Sequence, residues 1–218
     1  MAKLQARRRS IIRRLTGGVG SLLKKNGVTV VKGTAVFQDA NTVVVNGTRI
    51  TSDHFILATG SHSFTPRTIS IAEDAAVLTS TEALELEAIS KRLGIIGGGV
   101  IGIEFAYLYS ALGSQVFVFE AMDQILPMLD ETLSELARKR LEQQGVAFHT
   151  GASVSAIADG RITYQENGSV HQEAADLVLM AVGRVPNSDG LGLETLGVKL
   201  ERGAVVTDEQ LRTHVPNI

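Results

Sequence analysis

Residues 95–120 read IIGGGVIGIEFAYLYSALGSQVFVFE, and this one stretch holds a strand, a glycine-rich turn, a helix, a second strand and a terminal acid. The spacing Gly97-x-Gly99-x-x-Gly102 follows the apolar Leu93, Ile95 and Ile96 and opens the run Val100, Ile101, Ile103, Phe105, Ala106, Leu108. A GxGxxG alone is a weak signal; between a strand and a helix it stands where phosphate binding requires it. Gly97 allows the tight turn, Gly99 lets a pyrophosphate approach the backbone without meeting a Cβ, and Gly102 lets the helix pack closely on the strand. Bound phosphates would then meet amide groups at a helix N-terminus. Gly113 ends the helix after about Leu112, and Gln115 to Phe119 is dense enough in β-branched and aromatic residues to be the next parallel strand, closed by Glu120.

Glu120 lies eighteen positions beyond Gly102, close to where a dinucleotide-binding unit places the acid that accepts hydrogen bonds from the adenosine ribose. A carboxylate there repels a 2′-phosphate, so the expected cofactor is NAD rather than NADP. The ordinary alternative, an exposed acid at a strand end, lacks a reason for the glycines.

The chain has 218 residues, 44% of them apolar, enough for a sizeable core and for one large or two small domains. A net charge of −2 gives no general pull toward nucleic acid or membrane, no apolar run approaches a membrane span, and no signal peptide is visible, so the expectation is a cytoplasmic protein. The chain contains no cysteine, which excludes disulfides, thiolate metal sites and thiol redox chemistry on the chain itself. His54, His62, His149, His171 and His214 show no metal-ligand spacing, so no metal is expected.

Upstream, Arg7, Arg8, Arg9, Arg13 and Arg14 interleave with Leu4, Ile11, Ile12 and Leu15. An Arg-rich amphipathic start can be a transit peptide or a nucleic-acid arm, but no aromatic residue sits there to stack a base. The preferred reading is a helix with a buried apolar stripe and a solvated basic face. From Val28 to Thr59 the pattern turns to short strands: VTVVKG, TAVFQD, TVVVNG with Asn46-Gly47 as a hairpin turn into Thr48 to Ile50, then HFILATG as a buried strand. Leu78 to Ser90 reads as a connecting helix capped by Ser80 or Thr79. Downstream, a helix is predicted from Glu131 to Gln144, stopped by Gly145, with Leu133, Leu136, Ala137 and Leu141 at helical spacing. VAFHT, SVSAIAD, RITYQENG and SVHQEAA read as short strands, and DLVLM is a buried strand running into Ala181-Val182-Gly183-Arg184-Val185-Pro186-Asn187. Two strands thus end in glycine turns, at Gly97 and at Gly183.

In this order, ATGS (58–61), STEAL (80–84), IIGGGVIGIE (95–104), ALGSQVFVFE (111–120), AVGRVPN (181–187) and LRTHVPNI (211–218) resemble the flavin-dependent pyridine nucleotide-disulfide oxidoreductases across essentially the whole chain. Glu120 aligns the resemblance with the NAD-using lipoamide branch of that family. The implied fold is α/β: a Rossmann-like parallel sheet over 77–187, preceded by a partial FAD-domain remnant with an antiparallel β-meander over 1–76 and followed by a return segment over 188–218. The implied enzyme carries NAD and FAD, acts as a homodimer, serves the lipoyl domains of 2-oxoacid dehydrogenase complexes, and passes electrons from dihydrolipoamide to NAD. The first FAD-binding glycine motif, the redox cysteine pair and the C-terminal dimer domain of that family are not found in this sequence, so the chain alone is expected to be inactive and to hold no catalytic residue.

The resemblance assigns Gly97, Gly98, Gly99, Val100, Ile101, Gly102 and Glu104 to the wall of the NAD site, with Glu104 facing the nicotinamide. It assigns Val154 to the adenine side and Gly183 to the nicotinamide end. Ala35, Thr59, Gly60 and Ser61 match contacts to the adenine half of FAD, and weak or no flavin binding is expected from them. Arg184 is either a loop-end residue or part of the cofactor interface. Other readings are a mercuric or coenzyme A disulfide reductase of the same family, a non-catalytic NAD-binding module, and an interaction protein acting through the basic helix.

Overall fold

A computed structural model describes residues 1–218. The chain divides into two compact units, one formed by Met1–Ala6 with Ser63–Gly183 and the other by Arg7–His62 with Arg184–Ile218.

The first unit is built on a five-stranded parallel sheet, in the order Val77–Leu78, Leu177–Met180, Arg92–Ile96, Gln115–Glu120, Ala147–Thr150. Parallel strands buried on both faces need apolar residues at every buried position, and strand Gln115–Glu120 supplies them at Val116–Phe119. Its two valines, Val116 and Val118, join Leu93, Ile95 and Leu179 beneath Phe105, Ala106 and Tyr109 of the helix Val100–Ala111. Its two phenylalanines, Phe117 and Phe119, point the other way, into a core with Ile157, Ile162 and Tyr164. That second core lies under a smaller sheet ordered Ser169–Ala174, Arg161–Glu166, Ser153–Ala158, Ser70–Ile71. Arg92 joins the two sheets: it pairs with Glu173, donates from Nε to the Ala174 carbonyl at 2.9 Å, and lays its guanidinium 4.7 Å from the Phe117 ring centre.

Tyr109 links the glycine-loop helix to its neighbour. It is 2% exposed, and its hydroxyl donates to the Ala83 carbonyl at 2.8 Å; burial raises its pKa above the ordinary tyrosine value. Tyr109→Phe keeps the ring and orphans a carbonyl, so an urea midpoint is expected to report a loss of about 1–2 kcal/mol.

The second unit carries the antiparallel meander Ala35–Asp39, Thr42–Val45, Thr48–Thr51, with Asn46 and Gly47 both at positive φ as a two-residue hairpin of this kind requires. Its core gathers Phe37, Leu193 and Val198. Gly192 sits so close to the meander that a Cβ would stand 2.6 Å from the Phe37 carbonyl oxygen.

Several expectations fail, each for a physical reason. Residues 28–33 form no strand: Val28, Val30 and Val31 are exposed, Gly33 has φ +151°, and the meander pairs only within itself. HFILATG is also not a strand, because its backbone bonds are isolated at the two ends, Phe55 N–H to the Asn217 carbonyl and Asn187 N–H to the Gly60 carbonyl, and never continue as a ladder past Ile56, which is 93% exposed. The helix expected from Leu78 to Ser90 is a single turn, Ser80–Ala83. Its cap is Thr79, whose side chain accepts from Thr81 N–H while Glu82 bonds back to the Thr79 N–H and hydroxyl; these bonds, the hydroxyl first, hold the Glu82 carboxyl below its usual pKa. The basic helix Ala2–Lys25 forms, but its stripe is not buried: Leu4, Ile12, Leu15, Val19 and Leu22 are exposed, and the buried residue is Gln5, whose amide donates to the Leu84 and Leu86 carbonyls. Helix Glu131–Glu142 turns Ser134 and Leu141 inward and leaves Leu133 and Leu136 exposed, because the Ser134 hydroxyl bonds the Ile125 carbonyl at 2.6 Å. The expected boundary at 76/77 lies inside the first unit, since Ser70–Ile71 pairs with Ala156 and Ile157. The boundary at 187/188 likewise lies within the second unit, which the chain re-enters at Arg184.

Candidate nucleotide site

Strand Arg92–Ile96 is the pivot of the parallel sheet: the chain next builds Gln115–Glu120 on one side of it and later Leu177–Met180 on the other. At such a switch point the loops beyond the carboxyl ends of the strands diverge and leave a crevice. The loops here are Gly97–Gly99, the residues after Glu120, and Ala181–Gly183.

They enclose a cleft of about 380 Å³ lined by Gly97, Gly99, Val100, Ile101, Glu120, Pro127, Met128, Ala181, Val182 and Gly183. An adjoining cleft of about 290 Å³ shares Gly97, Glu120 and Val182 with it, and adds Pro66, Thr68, Ile69, Ile96, Phe119, Ala121, Ala152, Ser153 and Val154. Backbone geometry explains the glycines individually. Gly97 has φ +106° and a Cβ there would stand 2.4 Å from the Ala181 carbonyl oxygen, so the close approach of the loops that follow the paired strands Arg92–Ile96 and Leu177–Met180 depends on it. Gly102 is buried, and its Cβ would fall 1.9 Å from the Gly97 carbonyl oxygen. Gly99 differs from both: a Cβ there would meet nothing within 4 Å, so its vacancy opens onto the cleft rather than onto protein. As the N-cap of helix Val100–Ala111, Gly99 also offers no side chain to the first-turn amides, leaving that positive helix end to the cleft.

The half-buried Glu120 reaches back over the loop, with Oε2 accepting from Gly98 N–H at 2.6 Å and Oε1 from Met122 N–H at 2.8 Å. Behind it Phe119, 1% exposed, stacks on His149 at 4.9 Å and tilts against Tyr164 at 4.8 Å. Burial, and then the charges of Glu166 and Glu173, raise the Tyr164 pKa above its ordinary value.

Of the residues picked from sequence, Gly97, Gly99, Val100, Ile101, Glu120 and Gly183 line the larger cleft, and Val154 lines the smaller with Gly97 and Glu120. Gly98 and Gly102 shape the loop from behind. Glu104 is exposed on the helix and lines neither cleft. Thr68, Ile69, Ser153 and Met128 were not anticipated: they arrive through the pairing of Ser70–Ile71 with Ser153–Ala158 and through the turn after Glu120, neither of which has a motif.

In the second unit Thr59 and Gly60 line a separate pocket of about 340 Å³ with Phe55, Leu57, Asn187 and Leu211, whereas Ser61 and the exposed Ala35 do not. The polar groups of this segment are bonded internally. The Thr59 hydroxyl donates to the Asn187 carbonyl at 2.7 Å, Asn187 Nδ2 donates to the Thr59 carbonyl at 3.0 Å, and the Arg184 guanidinium donates to the Ser61 hydroxyl at 2.8 Å and to its carbonyl. Arg184 thus acts here as a loop clamp. No group of three or more His, Cys, Asp or Glu residues could hold a metal ion, and no helix is long and apolar enough to cross a membrane.

Residues 2–218 match the family described as pyridine nucleotide-disulphide oxidoreductase. The chain belongs to that family. Among curated pyridine nucleotide-disulphide oxidoreductases it is 39% identical over 220 residues to the dihydrolipoyl dehydrogenase of Acholeplasma laidlawii, covering 100% of this chain and 65% of that protein. It is 41% identical over 226 residues to the dihydrolipoyl dehydrogenase of Geobacillus stearothermophilus, covering 100% of this chain and 48% of that protein. Among solved structures, a mutant of the HOCl-induced flavoprotein disulfide reductase RclA from Escherichia coli, in complex with Cu(II), superposes with a TM-score of 0.87 at 28% identity, over 98% of this chain and 50% of that one. The chain therefore spans from about half to about two thirds of the length of these relatives, and its α/β fold is that of the flavoprotein disulfide reductases.

Proposed function

We propose that this chain is the nicotinamide-nucleotide-binding part of a dihydrolipoyl dehydrogenase, in which dihydrolipoamide and NAD+ become lipoamide, NADH and a proton. The observation that carries this reading is the convergence of Gly97, Gly99, Val100, Ile101, Glu120 and Gly183 on one cleft at the switch point of the parallel sheet. In this assignment the open face of Gly99 admits the pyrophosphate and the end of helix Val100–Ala111 neutralises part of its charge. Glu120 accepts from the adenosine ribose, Val154 flanks the adenine, and Gly183 borders the nicotinamide. Glu104 belongs to the same site only through the resemblance, since it stands outside the cleft.

FAD supplies the hydride relay of such an enzyme when bound. Here Thr59, Gly60, Ser61 and Ala35 would meet its adenine half, although the internal bonds of Thr59 and Ser61 leave few polar groups for it. With no cysteine in the chain, dihydrolipoamide has no thiol partner on it, so the chain contributes nucleotide docking and not turnover. A homodimer and lipoyl-domain partners belong to the same proposal.

Calorimetric titration tests the site directly. NADH is expected to bind at least about tenfold more tightly than NADPH, a difference of about 1.4 kcal/mol, because the 2′-phosphate would approach the Glu120 carboxylate. Equal affinities would remove Glu120 as the selecting group, and failure of both nucleotides to bind would sink the assignment of the cleft.

A further inference from the structure

Gly98 is not one of the three spaced glycines, yet it is held from both sides. Its N–H donates to Glu120 Oε2 at 2.6 Å, and its carbonyl accepts from Leu126 N–H at 2.8 Å. A Cβ on Gly98 would stand 3.1 Å from Glu120 Cβ and 3.1 Å from Ile125 Cγ2, so the residue is wedged between the acid and the turn that follows it. That turn is itself anchored, because Ile125 is 1% exposed and its carbonyl accepts the buried Ser134 hydroxyl. The second Glu120 oxygen takes the Met122 N–H. Both oxygens of one carboxylate therefore bond backbone amides on two different loops, one of them the glycine loop and the other leading to Pro127 and Met128 in the cleft wall.

We infer that Glu120 is a positioning residue for the glycine loop as well as a charge that selects between nucleotides. Hydrogen bonds from backbone N–H to a carboxylate are about twice as strong as neutral ones, so the acid fixes the spacing between Gly97–Gly99 and the 121–128 turn before any ligand arrives. Removing it loosens both walls of the cleft, and affinity falls for NADH and NADPH together. Deleting the charge consequently does not convert the site to NADP.

The affinity part of this inference rests on the proposed nucleotide site; the loop part does not, and amide hydrogen exchange on the ligand-free protein separates them. Gly98 exchange should quicken about tenfold in Glu120→Ala, with Glu120→Gln intermediate, since a glutamine carbonyl can accept one of the two amide bonds while carrying no charge. NADH affinity should fall in the same order, wild type above Gln above Ala, with NADPH binding to Glu120→Ala no tighter than to wild type. Unchanged Gly98 exchange in Glu120→Ala, or a Glu120→Ala variant that gains NADPH affinity, overturns the positioning role. Should the alanine variant fail to fold, Glu120→Gln against wild type makes the same comparison. A wild-type chain that binds no nucleotide defeats the functional reading, while the exchange arm still decides the role of Glu120 in the loop.

Discussion

Gly102→Ala is expected to cost at least about 3 kcal/mol of stability and to abolish NADH binding. The reason is the object that the methyl would strike. A Cβ at this position would lie 1.9 Å from the Gly97 carbonyl oxygen and 3.1 Å from its carbon, and 3.3 Å from Ile95 Cγ2. The first two are backbone atoms in the turn that links strand to helix, so no side-chain rotation relieves the contact. Either the helix Val100–Ala111 lifts from the strand, uncovering Ile95 and Leu93, or the glycine loop changes shape. Both remove the cleft. Gly99→Ala is the informative partner: its φ of −74° suits any residue and its Cβ would meet nothing within 4 Å, so stability should stay within about 0.5 kcal/mol of wild type while NADH affinity falls. Urea midpoints and calorimetric titration of the two variants separate a glycine needed by the fold from one needed by a ligand; equal destabilisation in both would show that the distinction is wrong.

The same contrast explains what could be read from the sequence. The strand–turn–helix–strand unit was legible because every level agrees there: apolar density in Arg92–Ile96 and Gln115–Glu120, glycines where the backbone crowds, and a stop at Gly113 with φ +97°. The hairpin at Asn46-Gly47 was legible for the same reason. By contrast HFILATG and VTVVKG have strand composition but no strand, because a ladder needs a neighbour and composition cannot report whether one is present. The apolar residues at 4, 11, 12 and 15 have helical spacing and do sit on a helix; whether that stripe is covered depends on packing far away in sequence, and here only Ile11 of the four is half-buried. The cleft shows both outcomes. Gly97, Gly99 and Glu120 announce themselves by spacing, whereas Thr68, Ile69 and Ser153 come to the site through the pairing of Ala156 with Ser70 and Ile157 with Ile71, a contact across more than eighty residues with no local signature. The bond from Gly98 to Glu120 was equally hidden, since the residue between two motif glycines looks free to vary until the acid is seen against it.

Phe119→Ala is expected to lower stability by about 3–5 kcal/mol, in the range for deleting a fully buried aromatic side chain. Phe119 is 1% exposed and carries three jobs at once. It packs into the core with Ile157, Ile162 and Met180, it stacks on His149 with ring planes 9° apart, and its edge lines the smaller cleft next to Glu120 and Val154. Because the site lies at the meeting of two sheets, neither can close on the space without shifting the other, which places the cost toward the upper end. Removal should also admit water to Tyr164, whose ring lies 4.8 Å away. Burial is the first cause of the raised Tyr164 pKa, so hydration moves that pKa down toward the ordinary tyrosine value. An ultraviolet titration of the phenolate therefore reads the packing change separately from unfolding, provided that it is run on the folded variant. Exposed Phe64 gives the comparison, with Phe64→Ala expected within about 0.5 kcal/mol of wild type. If Phe119→Ala melts like Phe64→Ala, the aromatic cluster is not what joins the edge strand to the covering sheet, and the smaller cleft is held instead by the backbone pairing of Gln115–Glu120 with Ala147–Thr150.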